Sequence, residues 1–515
     1  MPTTHTTDMI VVAAYLLVVT LIGCLMTRKT RSAREFMSAG GSLPGWVVGL
    51  SIVGTFVSSI SFVANPGKSY SGNWNPFVFS LSLPYAAWIA TVFFVPFFRN
   101  CGSMSAYEHL EHRFGPWARL YAALFNVMYH VGRIGTILYL VSLAVSKLLE
   151  LPVPAIIVGL GVLVVVYTLM GGIEAVIWTD VVQSVVLVGG MIVCAVLLVM
   201  KVPEGFFGIV RAASSMADNR LSLGSLEVSS RSFTGGTFWT TLVFGLFINV
   251  QNFAADQTYV QRYFTANSET AAKRSVWMGA VAYLPISAVL FFLGTGLFIF
   301  YQTTGTLPEG TKPDGVLPWF IMHELPDGVS GLLIAAILAA AMSTVDSSLN
   351  SSATLLLCDV RNRFLRRSSE TESSSAAQDR SELRFLRLST LGLGVAGVLA
   401  ALAMIDVETM LEVWWTISGV LSGGTLGLIL LARFTSVRGT AATLPATIAG
   451  VAGMAAVTLA HQDNAPGFLL PIKEYLSPLM AIVVGTMLVV IVAVVLSPFT
   501  SRGGNGVDDS VRGRV

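Results

Sequence analysis

The sequence is dominated by apolar runs that are long enough to cross a lipid bilayer as helices. Hydrophobic residues make up 54% of the 515-residue chain and charged residues only 12%, whereas soluble domains carry about 25% charged residues. The runs are too long for barrel strands, so the pattern predicts an all-α, multi-pass membrane protein. The thirteen candidate spans are approximately 9–27, 45–65, 76–98, 117–149, 153–171, 178–200, 236–258, 275–301, 318–357, 385–404, 407–432, 441–461 and 475–497.

Basic residues indicate how these spans are oriented. Arginine and lysine follow the odd-numbered spans, as at Arg28 and Lys29 after span 1 and at Arg262, Lys273 and Arg274 after span 7. By the positive-inside rule we expect the N-terminus outside the cell membrane and the C-terminus in the cytoplasm. The net charge of +2 is spread over such flanks, so the sequence predicts no nucleic-acid partner.

The second span contains a polar interruption. Residues 51–66 read SIVGTFVSSISFVANP, with four serines, a threonine, a glycine and a closing proline in a predicted membrane helix. A helix broken at this depth frees backbone groups that only protein or a wet cavity can receive. In secondary transporters, paired interruptions in two inverted halves form the binding sites. We therefore predict a binding site here and a partner segment about five spans later.

Span 7 supplies that partner. Its stretch FINVQNFAADQTYVQ, residues 247–261, places Asn249 and Asn252 within the predicted membrane segment. Asp256 and Gln257 follow in the same stretch. The alternative is that these last two residues are simply the solvated cytoplasmic end of the helix.

Span 9 carries a third polar feature, AAAMSTVDSSLNSS at 339–352. Oxygen-bearing side chains recur there at i, i+3, i+4, i+7 and i+8, which places them on one helix face. Such a face must look into the bundle or towards water. A seam of small residues between helices explains the same pattern, above all for its last serines. The face consists of Ser343, Asp346, Ser347, Asn350 and Ser351.

Three isolated polar side chains complete the set. Arg133 falls midway along span 4, where a guanidinium must meet an anion, carbonyls or water. An anionic ligand and a structural pairing with backbone are both consistent with it. Asp180 opens span 6, where helix capping alone would explain an aspartate. His130 is interpreted as a helix-seam residue, because no Ser/His/Asp set, HExxH or metal cluster accompanies it, and we expect no enzyme activity.

These stretches together resemble the sodium/solute symporter family, most closely its sialic acid branch. The resemblance covers residues 8 to about 497, and its specificity comes from the ordered spacing of the blocks that carry it. It implies thirteen transmembrane helices around a core of two inverted five-helix repeats of the leucine-transporter type. The blocks are EFMSAGGSLPGW at 35–46, SIVGTFVSSISF in span 2, GGIEAVIWTDVVQ at 171–183, DQTYVQRYF at 256–264 and AAAMSTVDSSLNS at 339–351.

The resemblance also divides the chain into five segments. The first repeat holds spans 2–6 and the second holds spans 7–11, separated by an extracellular loop. A flexible cytoplasmic loop is expected within the second repeat at 359–384. The segments are 1–44 with the first helix and a cytoplasmic loop, 45–200 for the first repeat, 201–235 for the extracellular loop, 236–432 for the second repeat, and 433–515 for spans 12 and 13 and the cytoplasmic tail.

A sodium site is implied where spans 2 and 9 meet. The family pattern assigns it to backbone carbonyls of the broken span 2 and to the carbonyl and hydroxyls of one turn of span 9, and a hard cation prefers such oxygen ligands. Some members bind a second sodium ion through an acidic residue at the position of Asp180. The implied ligands are Gly54, Val57, Ala340, Ser343, Thr344 and, for a second ion, Asp180.

The same comparison implies a solute site next to the ion. In the sialic acid branch, hydroxyls on span 2 and an arginine on span 4 face the acidic sugar, and the matching positions here favour an anionic solute. The alternatives are symport of a neutral sugar or a small monocarboxylate, or a membrane sensor with a transporter-like core. The implied solute ligands are Ser58, Ser61, Ser80, Arg133, Asn249 and Asn252.

The function implied is secondary active transport. One or two sodium ions would drive a small organic solute into the cell by alternating access. The partners expected are the solute, sodium ions and the lipid bilayer, with no obligate protein partner.

Overall fold

The computed structural model describes residues 6–26, 32–101, 104–216, 218–229, 231–365, 375–405, 410–462 and 465–500. In these ranges all regular secondary structure is helical, and the chain forms no β-sheet. Short π-helical or 3₁₀ turns join several helices. The α-helices are α1 Thr6–Met26, α2 Ala33–Ser38, α3 Gly45–Phe56, α4 Asn65–Ser71, α5 Val78–Leu81, α6 Leu83–Ile89, α7 Val95–Cys101, α8 Glu108–Phe114, α9 Pro116–Leu149, α10 Val153–Lys201, α11 Gly205–Ser215, α12 Phe238–Ala255, α13 Gln257–Thr265, α14 Glu269–Thr304, α15 Pro313–Glu324, α16 Val329–Leu355, α17 Ser375–Ala403, α18 Met410–Phe434, α19 Thr440–Leu459, α20 Leu470–Tyr475 and α21 Ala481–Thr500.

Many of these helices can cross a membrane. Among the described residues, ten helical segments are long and apolar enough to do so. The helices 45–56 and 60–71 would together form an eleventh span that is bent by 54°. Two shorter apolar helices lie at 6–22 and 153–166. The prediction of an all-α, multi-pass membrane protein is therefore confirmed.

The break predicted in span 2 is present. Helix α3 ends at Phe56, and Val57 leaves the helical conformation with ψ of 87°. The amide of Ser58 donates to the carbonyl of Phe56 rather than to Gly54 four residues back. The chain then continues through a π-helical segment into α4. The carbonyls of the last turn of α3 are thus released from regular helix bonding.

A second break separates α12 from α13. Asp256 has φ of −83° and ψ of 119°, and its side chain caps α13 by accepting the Thr258 amide at 2.8 Å. Two phenols satisfy the freed carbonyls: Tyr107 donates to Ala255 at 2.6 Å and Tyr263 donates to Phe253 at 2.8 Å. Asp256 is completely buried, and so is the neighbouring glutamine. The interpretation of this stretch as a solvated helix end is wrong, because protein covers it on all sides.

Helix α10 consists of two arms joined at Gly172. This glycine has φ of 61° and ψ of −170°, and the break agrees with the two spans predicted at 153–171 and 178–200. A side chain at Gly172 would meet the backbone of Phe36 in α2 at 3.0 Å. The left-handed backbone and the close approach of α2 both require glycine here.

Two predicted boundaries in the second half are wrong. The run 318–357 is two helices, because α15 ends at Glu324 and Pro326 precedes the start of α16 at Val329. Both ends of the predicted flexible loop 359–384 are helical. A π-helical segment continues to Leu365 and α17 begins at Ser375, while residues 366–374 lie outside the described part.

Helix α16 is the centre of the packing. In the span that contains α16, 89% of the residues of an 18-residue apolar stretch are buried. The corresponding share is 39% for the span that contains α21. It packs against α10, α9, α1, α17 and α3, and α3 also packs against α14. The break in α3 therefore lies beside the most enclosed of the candidate membrane spans in the described part of the chain.

Candidate functional site

A cavity lies beside the break in span 2. It leaves about 80 Å³ of room for the centres of water-sized molecules. Eight aromatic rings and several hydroxyl and amide groups form its walls, and one arginine supplies a charge. The serine, asparagine, tyrosine and arginine residues of the lining are Ser58, Ser61, Asn65, Ser80, Tyr129, Arg133, Asn252, Tyr259, Tyr283 and Ser418.

Arg133 is the cationic side chain of this cavity. Helix α9 holds it with only 6% of its surface exposed. Its Nη2 donates to the carbonyl of Thr55 at 2.8 Å, which lies in the last turn of α3. Its Nη1 has no hydrogen-bond partner within the described part of the protein. The two interpretations of Arg133 are therefore compatible, because one nitrogen binds backbone and the other remains available for an anion.

The serines predicted on spans 2 and 3 line the same cavity. Ser61 shares a hydrogen bond of 3.1 Å with the phenol of Tyr283 and donates to the Phe56 carbonyl at 3.2 Å. Ser80 shares a bond of 2.7 Å with Ser287. Both Tyr283 and Ser287 belong to α14. These bonds hold α14 against the wall of the cavity and orient hydroxyl groups at its surface.

The two asparagines of span 7 have different positions. Asn252 lines the cavity, and its Oδ1 is buried without a partner in the described structure. Asn249 lies outside the cavity, where its Nδ2 donates to Ser82 at 2.9 Å. Asn249 therefore joins α12 to the α5–α6 region, and only Asn252 can reach a ligand in this cavity.

The predicted sodium ligands of spans 2 and 9 come together. A Cβ atom added to Gly54 would lie 2.9 Å from the Oγ of Ser343 and 3.6 Å from the Asp180 carbonyl. Val57 is the residue at which the helix breaks. In α16, Thr344 donates to the carbonyl of Ala340 at 3.1 Å, so these two oxygens lie in the same turn as Ser343. The broken end of α3 and the oxygen-rich turn of α16 thus face each other.

Asp180 is not a helix cap, contrary to the simpler interpretation. It lies inside the second arm of α10 and accepts from Ser343 at 2.5 Å. It also accepts from Ser51 of α3 and from Arg262, whose Nη2 is 3.0 Å from Oδ2. All four side chains are completely buried. The carboxylate therefore joins α3, α10, α13 and α16 at one point.

Arg262 is the main residue that the sequence interpretation missed. As a basic residue after span 7 it indicated the cytoplasmic side, but it is fully buried and paired with Asp180. It also donates to Ser51 at 2.9 Å, to Ser347 at 2.7 Å and to the Thr258 carbonyl at 2.8 Å. Its place in the DQTYVQRYF block, between polar residues of a broken helix, was the signal available.

The polar face of α16 contacts protein over most of its length. Asp346 accepts from Thr168 of α10 at 2.8 Å. Asn350 accepts from Gln261 of α13 at 2.9 Å, and Ser351 shares a bond of 3.0 Å with Thr258. The turn around Ser343 lies next to Gly54 of α3. The interpretation of this face as a seam between helices therefore applies to its C-terminal part.

Several cavity residues could not be found from the sequence. Tyr129 belongs to α9, Tyr259 to α13, Tyr283 to α14 and Ser418 to α18, far apart along the chain. Aromatic residues at such positions are ordinary in a membrane helix. Only the packing of four helices around one space reveals them.

Comparison with known proteins identifies the family to which the chain belongs. Residues 36–450 match the profile of the Sodium:solute symporter family. The chain is 34% identical over 430 residues to the sodium/sialic acid symporter SiaT of Proteus mirabilis, covering 82% of this chain and 84% of the relative. It is 31% identical over 507 residues to the sodium/sialic acid symporter NanT of Aliivibrio fischeri, covering 97% and 94%.

A solved structure has a similar fold. A Na⁺-coupled sialic acid symporter, in a substrate-bound outward-open state, superimposes with a TM-score of 0.85 and 30% identity. The match covers 96% of this chain and 98% of that structure. The chain belongs to the sodium:solute symporter family. It is a sodium-coupled solute transporter of the membrane and not an enzyme.

Proposed function

We propose that this protein takes up an acidic sugar of the sialic acid class together with sodium. The observation that carries the proposal is Arg133, which is buried in a cavity and has one guanidinium nitrogen free of protein partners. A forked guanidinium suits a carboxylate. The hydroxyls of Ser58, Ser61 and Ser80 and the amide of Asn252 would bind the sugar's polar groups. Two relatives and one structural neighbour are sialic acid symporters, which supports the same class of solute.

The sodium ion would bind between α3 and α16. We assign it to the carbonyls of Gly54, Val57 and Ala340 and to the hydroxyls of Ser343 and Thr344. Neutral oxygens hold a monovalent cation loosely enough for later release. The closeness of Gly54 to Ser343 supports this assignment. An ion at this point would tie the broken helix to the rigid core and so organise the neighbouring solute site, which is a reciprocal coupling.

A second sodium ion would bind next to Asp180. The Asp180 carboxylate is completely buried and accepts from the hydroxyl of Ser343 in α16. A carboxylate beside a hydroxyl supplies the oxygen ligands that a hard cation prefers. Arg262, which is paired with the same carboxylate, would share it with the ion.

The proposal also includes the number of spans, their division into repeats and their orientation in the membrane. We infer thirteen spans, and the ten long spans, the bent pair and the two shorter apolar helices support this number. We infer two inverted repeats, with spans 2–6 in the first and 7–11 in the second. The two helix breaks, which open these halves, support that division. The N-terminus would lie outside and the C-terminus in the cytoplasm, with both ligands released inward by alternating access.

Uptake into proteoliposomes tests the proposal. Purified protein is reconstituted, and the entry of labelled N-acetylneuraminate is measured with and without an inward sodium gradient. A labelled neutral hexose and a short monocarboxylate are measured in parallel. We expect sodium-driven entry of the acidic sugar alone.

Two outcomes would contradict the proposal in different ways. Sodium-driven entry of the hexose or monocarboxylate, without the acidic sugar, would overturn the class of solute. Entry that is independent of sodium for every solute would overturn the ion assignment.

A further inference from the structure

A buried histidine and a buried carboxylate form a pair next to residues that line the cavity. The Nε2 atom of His130, in α9, lies 3.1 Å from Oδ1 of Asp256. Both side chains are completely buried. Asp256 occupies the break between α12 and α13, where it also caps α13. The pair therefore connects α9 to the hinge of the second broken helix.

The pair has polar atoms that the protein leaves unsatisfied. Nδ1 of His130 and Oδ2 of Asp256 are buried and have no hydrogen-bond partner within the described residues. On its other side, the pair continues into Thr258, whose hydroxyl is 3.2 Å from His130 Nε2 and 3.0 Å from Ser351 of α16. Nδ1 of His130 can therefore accept a proton without giving up a hydrogen bond to the described residues.

The pair lies next to the proposed solute arginine. His130 and Arg133 are three residues apart on α9, so they lie on neighbouring positions of one helix face. Arg133 also interacts electrostatically with Asp256. Tyr129, which lines the cavity, has its ring 5.2 Å from the His130 ring. The charge of the pair therefore changes the electrostatic potential at Arg133 in the cavity wall.

The other groups around the pair are few. From α9 it faces Tyr129 and Arg133. Tyr259 and Tyr263 of α13, together with Tyr107, interact electrostatically with Asp256, and Tyr107 precedes α8. From α16 the hydroxyl of Ser351 reaches the pair through Thr258, and this hydroxyl does not titrate in the physiological range. Arg262 is paired with Asp180 and donates to the Thr258 carbonyl.

We propose that His130 and Asp256 form a proton-binding site that controls how strongly Arg133 attracts the acidic solute. In the neutral imidazole, Nε2 carries the hydrogen and donates it to the carboxylate. A proton from water then adds to the lone pair of Nδ1, and the ring becomes an imidazolium with no other bond broken. Imidazole is the side chain that ordinarily changes charge in the physiological pH range.

The sign of the effect follows from charge. With a neutral ring, the Asp256 carboxylate keeps its full negative charge and offsets part of the Arg133 charge. With an imidazolium, the pair is neutral overall, and Arg133 acts as an uncompensated cation towards a carboxylate. Protonation should therefore strengthen binding of the acidic solute, and the bound solute should in turn favour protonation. This inference rests on the proposed binding of an acidic solute at Arg133.

Two substitutions with opposite effects test the site. The affinity for N-acetylneuraminate is measured by titration calorimetry at saturating sodium between pH 5.5 and 8. The native protein should bind about tenfold more tightly at the acidic end. His130→Gln keeps a bare carboxylate, so its affinity should stay at the weak level at every pH. Asp256→Asn removes the carboxylate and still caps α13, so its affinity should stay at the tight level.

The control is His323→Gln. His323 stacks on Trp319 and lies outside the cavity, so its replacement should leave the native pH profile unchanged. General damage to the fold would weaken binding in both site variants, whereas the proposal requires them to diverge. Weaker binding in both, or a native affinity that does not vary with pH, would overturn it.

A second measurement does not depend on the solute. In protein with labelled histidine, the imidazole signal that disappears in His130→Gln is followed by NMR over the same pH range in sodium buffer. A signal that changes with pH supports the proton site even if N-acetylneuraminate proves to be the wrong solute. A signal that is constant over this range overturns the proton site and leaves sodium-driven transport unaffected.

Discussion

The two helix breaks of this protein differ in what receives their free backbone groups. At the first break, after Phe56, the Thr55 carbonyl binds Arg133 and the chain faces a cavity. At the second break, at Asp256, tyrosine phenols bind the freed carbonyls and the aspartate caps the next helix. The first break faces a cavity, whereas the freed carbonyls of the second break are bound by protein side chains.

This difference separates two roles that the sequence pattern alone would merge. A break that retains open carbonyls beside hydroxyls can bind an ion, because a cation supplies the missing partner. A break that is closed by side chains can act as a hinge of defined geometry. The helix that follows the second break, α13, is tied to α3, the helix that precedes the first break, through Arg262, which donates to Ser51. Arg262 therefore connects one helix from each broken pair.

The largest effect expected concerns this link. Arg262→Gln leaves the Asp180 carboxylate buried without its cationic partner, which should lower the free energy of unfolding by about 3–5 kcal/mol. Denaturant unfolding in detergent measures this loss. The control is Arg211→Gln, because the Arg211–Glu204 pair is 73% and 61% exposed and should contribute little. Equal stability of the two variants would show that the breaks are not joined by this pair.

The next effect tests the open character of the first break. Arg133→Gln removes the guanidinium from the cavity and should reduce uptake of the acidic sugar at subsaturating concentration by about 10- to 100-fold. Proteoliposome uptake measures it. Arg220→Gln is the matched control, since Arg220 binds the Tyr70 carbonyl outside the cavity. Unchanged uptake in the Arg133 variant would remove the arginine from the solute site.

A smaller effect is expected at the ion. Thr344→Ala should lower the apparent sodium affinity of uptake by about tenfold, because one oxygen ligand and its orientation are lost. The control on the same helix is Thr354→Ala, which removes a buried hydroxyl bonded to the Asn350 carbonyl at 2.9 Å. If both variants respond to sodium alike, the turn around Ser343 does not hold the ion.

The smallest effect tests the closed character of the second break. Tyr263→Phe removes the donor to the Phe253 carbonyl and should cost about 1 kcal/mol of stability, without changing the affinity for sodium or solute. Tyr85→Phe, at a phenol that is 64% exposed, is the control. A large loss of transport with unchanged stability would mean that the second break also binds a ligand.

Local pattern predicted the secondary structure well. The break at Val57 follows from serines, glycine and proline in one short stretch, and the spans follow from runs of apolar residues. Prediction was poorer where a proline divides a long apolar run, as at Pro326. It was also poorer where a polar segment such as 375–384 is helical because it continues a membrane helix.

Prediction of the candidate site also succeeded for some residues and failed for others. Arg133, Ser58, Ser61, Ser80 and Asn252 reach one cavity as expected, whereas Asn249 does not. One helical turn separates Asn249 from Asn252, and the direction of each side chain depends on how α12 packs on its neighbours. The sodium ligands and the solute ligands as a set remain a prediction.

The sequence by itself determined that this is a helical membrane protein and that its second span is broken, since hydropathy and helix-breaking residues act over one or two turns of chain. The family assignment followed from the ordered blocks. Only the tertiary structure decided which charges meet. Arg262 finds Asp180, and His130 finds Asp256, across more than 80 residues of chain in each case, because the burial of an ion in a membrane protein is stabilised only by a partner that folding brings to it.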